Sequence, residues 1–131
     1  MTKDLAPMDI TIRPSRPENA DTLAFAIARD ALAALPLAAS RTLVEGARAA
    51  RFSGEAGSSF ESFVEEEGRI VRVVLLGTGS GSDADMEKAG GALTARLATS
   101  GAAHVAIVFP HGASGSAAAH LALGVDRKSV V

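Results

Sequence analysis

At 131 residues the chain is long enough for one domain with its own core, and 47% hydrophobic against 21% charged residues exclude full disorder. A formal net charge of -2, with Lys and Arg scattered along the chain, offers no basic stripe for a nucleic-acid backbone, so no nucleic-acid partner is expected. The absence of cysteine excludes a disulfide framework, a thiolate nucleophile and any zinc site with a sulfur ligand.

Residues 1–8 read as a flexible lead-in. Acidic residues break the apolar region a secretory signal needs, and no run reaches the roughly 18 to 20 apolar residues of a membrane span, so a soluble cytoplasmic protein with no membrane partner is expected. Ile10 and Ile12 alternate with polar residues as in a half-buried strand closed by Pro14 and Pro17. TLAFAIA puts Leu23, Phe25 and Ile27 on one face at period two and reads as a second strand. Pro36 interrupts the Ala- and Leu-rich stretch that follows, which predicts a short helical piece before it and a longer helix after it, with Ser40 as N-cap and Leu43, Ala47 and Ala50 on one face. RFSGEAGSSFES is a turn or loop, with Phe52 and Phe60 tucked inward at its ends.

Phe63–Glu67 and Arg69–Leu76 flank Gly68 as two strands flank a hairpin turn. In the second arm Val71, Val73 and Leu75 point one way and Ile70, Val74 and Leu76 the other, so helices must cover both faces. A helix follows, capped by Ser82, with Asp83 and Asp85 at its positive end and Met86, Ala89, Leu93 and Leu97 at helical spacing. Gly101 ends it. Ala103–Phe109 predicts another strand, and Ser116–Leu123 a helix stopped by Gly124, before a tail, residues 126–131, without periodicity. The order implies parallel crossovers and a three-layer α/β/α sandwich with a mixed, largely parallel sheet.

Candidate chemistry is sparse. The loop Gly77, Thr78, Gly79, Ser80, Gly81, Ser82 lies between a buried strand and a helix, where exposed amides can cradle a phosphate or carboxylate. It lacks both the GxGxxG spacing and a Gly-Lys-Ser/Thr end, and Asp83 and Asp85 oppose an anion, so a structural tight turn stands beside an anion site as a reading. His104, His111 and His120 lack metal-ligand spacing, and only His111, before Gly112, lies in a loop. Glu65, Glu66 and Glu67 read as a solvated edge, and Ser114 and Ser116 as turn or cap residues, since GASGS is no nucleophile elbow.

The order RFSGEAG, strand pair, RVVLLGTGS, helix with AGGAL, strand, and alanine helix ending LGV resembles the N-terminal domain of the leucyl aminopeptidase, or cytosol aminopeptidase, family over residues 9–125. The family's F-x-G-x-x-G stretch corresponds to Phe52, Gly54 and Gly57, and its V-G-L-G-like turn to Leu76, Gly77, Thr78 and Gly79, with Thr78 replacing a bulkier apolar residue. The resemblance implies a macro-domain-like α/β sandwich beside a larger C-terminal domain, which binds two divalent metals such as Zn or Mn and removes N-terminal residues from peptides. It implies no cofactor and no catalytic residue in this chain, and a homohexameric parent. The signature NTDAEGR is absent, and residues 126–131 depart from the family's continuation, so a truncated end and a self-associating fragment are expected. The alternative is a macro-like module binding a nucleotide or ADP-ribose between the Gly77–Asp83 turn and the Gly112–Ser116 loop.

Overall fold

An eleven-residue strand, Arg69–Gly79, is the longest of the described strands, and its two faces organise everything else. The computed structural model describes residues 9–13, 20–98, 100–110 and 114–129, and the elements are β1 (Asp9–Arg13), β2 (Thr22–Ala28), α1 (Ser40–Ala49), β3 (Ser59–Glu66), β4 (Arg69–Gly79), α2 (Asp83–Leu97), β5 (His104–Val108) and α3 (Gly115–Ser129). The strands form one sheet in the order β1-β5-β2-β4-β3, parallel throughout except for the antiparallel edge pair β3–β4. Parallel strands lack a tight connection, so their crossovers cover both faces with helices.

Alternation along β2 and β4 divides the core as the sequence predicts, except that Ile70, at the hairpin end of β4, is left exposed. Leu23, Phe25, Ile27, Val71, Val73 and Leu75 pack with Leu43, Val44 and Ala47 of α1. Ala24, Val74 and Leu76 pack on the opposite face with Met86, Ala89, Leu93 and Leu97 of α2 and Leu121 of α3. The result is the expected three-layer α/β/α sandwich.

The hairpin forms with a longer first arm than predicted: β3 begins at Ser59, inside the stretch read as a loop, and Glu67 leaves the strand to share the turn with Gly68. Glu67 and Gly68 both have positive φ, 52° and 82°, the geometry of a two-residue turn whose twist matches that of its strands. Phe52 is buried and Phe60 packs against the same core. Ser82 caps α2, its Oγ accepting the Asp85 N–H at 3.2 Å.

Several local expectations fail for identifiable reasons. The short helical piece predicted directly before Pro36 does not form: residues 31–35 lack regular structure, while Leu32, Leu35 and Leu37 still pack on the core. Ser40 is not the N-cap. Ala39 occupies that place without a side-chain cap, and the Ser40 hydroxyl instead accepts the Leu35 N–H at 2.7 Å, closing the preceding turn. Val44, not Ala50, completes the buried face of α1, and Ala50 is exposed. Glu66 leaves the predicted solvated edge: it shares a face with Val64 and is only 8% exposed, whereas Glu65 and Glu67 are exposed. Gly124 does not stop α3, which runs on to Ser129. It is a packing residue, because a Cβ there would overlap the carbonyl oxygen of Glu87 on α2. Gly90 plays the reciprocal part against Leu121 and Val125 of α3.

Candidate functional site

Of the predicted loop Gly77–Ser82, the first three residues are the end of β4, where Gly77 and Gly79 pair with β2, and only Ser80–Ser82 form the turn. The backbone N–H groups of Gly77, Gly79, Ser80, Gly81 and Ser82 are already engaged. Segment 53–58 lies across it. Gly77 N–H donates to Ser58 O at 2.8 Å, Gly79 N–H to Gly54 O at 2.9 Å, and Gly57 N–H to Gly77 O at 3.1 Å. This approach explains the spacing of Phe52, Gly54 and Gly57. A Cβ on Gly54 would strike the Ala28 carbonyl and one on Gly77 the Glu55 carbonyl, so backbone lies directly on backbone.

Beyond the strand, Gly81 N–H donates to Thr78 O at 3.0 Å, and Ser82 N–H to Ser80 Oγ at 3.3 Å. The backbone N–H and hydroxyl of Ser80 both donate to Asp85 Oδ2 at 2.9 Å. These two bonds, backbone first, hold the Asp85 carboxyl below the usual carboxylate range, with help from the charges of Arg29 and Lys88. Asp85 thus supplies, from within the chain, the negative charge that a helix N-terminus favours. Thr78 is buried.

The two described histidines, His104 and His120, do not converge. His104 begins β5, with its backbone N–H on Asp21 Oδ2 at 3.1 Å, and His111 lies outside the described residues, as does Gly112. His120 sits between two carboxylates of α2, Nδ1 at 2.7 Å from Glu87 Oε2 and Nε2 at 3.3 Å from Asp83 Oδ2. Ser116 also reaches Asp83, at 3.5 Å. Both imidazole nitrogens face carboxylates, so the cluster clamps α3 to α2 and provides no base for the serine hydroxyl. Ser114 caps α3, accepting Ala117 N–H at 3.0 Å.

Sequence reasoning missed one polar cluster. Arg72 interrupts the apolar run of β4, and its guanidinium bonds Glu61 at 2.6 Å and Ser100 O at 2.8 Å while lying 4.8 Å from the centre of the Phe63 ring. Arg96 holds the other Glu61 oxygen at 2.8 Å. Burial works to raise the Glu61 pKa, but hydrogen bonds from Arg72 and Arg96 and their charges outweigh it and leave the carboxyl below its ordinary range. A cleft of about 210 Å³ opens beside this cluster, between Thr22, Phe63, Ile70 and Ala102. An arginine inside the apolar stretch Ile70–Leu76 was the available signal.

The donor set does not fit a metal centre. Among the described residues no group of three or more His, Asp or Glu is placed to hold a metal ion. Among the same residues no helix is long and apolar enough to cross a membrane.

Residues 21–129 match the family described as the N-terminal domain of the cytosol aminopeptidase family. None of the curated proteins searched matches the chain. Among solved structures, a variant of leucine aminopeptidase from tomato superposes with a TM-score of 0.69 at 20% identity, covering 100% of this chain and 30% of that one. The chain therefore spans under a third of that relative's length, and at this identity the likeness speaks for the fold.

Proposed function

Because the chain belongs to the cytosol aminopeptidase family through its N-terminal domain, we propose that it is the non-catalytic companion of a two-metal aminopeptidase domain, beside which it packs and which it helps to organise. One observation carries this reading: the family match covers the sheet from β2 to α3, yet the described side chains converge on no nucleophile, base or metal-ligand set. The parent reaction under this reading is removal of N-terminal residues from peptides, with paired divalent ions polarising the scissile carbonyl and activating water. The residues described here do not fit that ion pair, so no step of the reaction runs through them. A homohexameric parent in the cytoplasm accords with the same reading.

The test is direct. Purified chain with Zn or Mn and a peptide bearing N-terminal leucine should give no hydrolysis above the metal-only blank. Metal-dependent turnover that follows the protein through purification would overturn the proposal. The nucleotide or ADP-ribose reading is less favoured, because the amides of the Gly77–Ser82 loop donate within the chain and Asp85 opposes an incoming phosphate.

A further inference from the structure

Strand β3 lies at an edge of the sheet, hydrogen-bonded to β4 on one side. Its outward ladder can be assigned. Glu66 and Arg69 flank the two-residue turn, and Gly77 N–H donates to Ser58 O, so even-numbered residues of β3 exchange bonds with β4. The odd-numbered residues Ser59, Glu61, Phe63 and Glu65 therefore turn their backbone N–H and C=O groups outward. Such an edge is a template for another strand. It also carries Phe63, 58% exposed, with Ile70, 67% exposed, on the neighbouring strand.

We propose that this edge pairs with the same edge of a second copy, antiparallel, with Ser62 of each chain facing the other across a two-fold axis. Charge selects the register. Centring on Phe63 would set Glu61 against Glu65, and centring on Glu61 would oppose identical carboxylates, both of which are destabilising. Centring on Ser62 instead places Glu65 opposite Ser59, Val64 opposite Phe60 and Phe63 opposite Glu61. In that last pair the exposed ring meets a carboxylate already held by Arg72 and Arg96, so an aromatic edge covers a neutralised ion cluster. No carboxylate then faces another directly, and the sheet continues across the axis. Two short edges bury far less than the roughly 800 Å² per partner of a stable interface, so the dimer is weak and forms at high concentration.

The absence of cysteine makes the register testable. In the proposed pairing, Ser62 occupies a non-hydrogen-bonded pair about 4.5 Å between Cα atoms, within disulfide reach. Ser62→Cys should form a covalent dimer under mild oxidation. Glu65→Cys alone and Ser59→Cys alone should stay monomeric, since like positions lie about 20 Å apart along the strands, while a mixture of the two should cross-link. Phe63→Asp, which sets a carboxylate against Glu61, should lower wild-type association at least fivefold in sedimentation velocity. A Ser62→Cys chain that remains monomeric, or an equal rate of cross-linking by Glu65→Cys alone, would overturn the pairing.

Discussion

Replacing Gly124 with alanine should destabilise the domain, although helix propensity alone argues the reverse. Alanine is favoured over glycine in a helix interior by about 1 kcal/mol. At Gly124, however, the new Cβ would overlap the Glu87 carbonyl oxygen and lie 2.8 Å from its carbon, atoms of a packed backbone that cannot rotate away. Relief requires α3 to withdraw from α2 by on the order of 1 Å, which forfeits much of the dispersion energy between the helices. Overpacking of this kind costs about 1 to 3 kcal/mol, and withdrawal also stretches the 2.7 Å His120–Glu87 bond, worth about 1 kcal/mol more. After subtracting the propensity gain, the net loss is about 1 to 3 kcal/mol, or roughly 4 to 12 °C in Tm for a domain of this size. Gly115→Ala is the control, because nothing lies within 4 Å of a Cβ at that position in the first turn of the same helix. Thermal unfolding followed by circular dichroism would compare the two. A Gly124→Ala variant as stable as Gly115→Ala would refute the close-packing argument.

Three further outcomes follow from the geometry. Ser82→Ala removes the N-cap of α2 and should cost about 1 kcal/mol in urea unfolding. The depressed Glu61 pKa contributes stability above the ordinary glutamate value of about 4.3, and that stability is lost as pH falls through the lower folded-state value. Glu61→Gln should therefore be less stable than the wild type at pH 7 and should flatten its decline below about pH 4, as measured by denaturation midpoints across that window. ADP-ribose titrated to millimolar concentration should give no saturable heat, and a fitted isotherm abolished by Gly79→Ala would reverse the reading of the loop.

The sequence made the centre of this fold legible because single residues there answer to one demand. β4 is largely apolar on both faces and must be covered twice, Gly68 suits a tight hairpin, and Ser82 followed by Asp83 and Asp85 suits a helix start. Where two demands competed, the pattern misled. Gly124 looked like a stop because glycine usually ends helices, but close helix contact also requires it, and nothing local separates the two roles. Ser40 has a capping side chain, yet its hydroxyl serves Leu35. Glu66 follows the alternation of its strand into the interior despite its charge. At the candidate site, the glycines marked the turn at Ser80–Ser82 but also suggested a loop at Gly77–Gly79, which still pairs with β2 as the end of β4. That Asp85 would bond Ser80, and that segment 53–58 would lie over the loop, depends on tertiary approach.

The position of β5 between β1 and β2 orders events in time. β1 spans Asp9–Arg13, but its ladder partner spans His104–Val108, so that ladder cannot form until roughly ninety further residues have left the ribosome. Before then β2, β3 and β4 can assemble with α1, leaving the ladder of Thr22–Phe25 open along the side that β5 will fill. The nascent protein therefore passes through a stage with a second unprotected border, and the arrival of β5 both closes that border and captures β1.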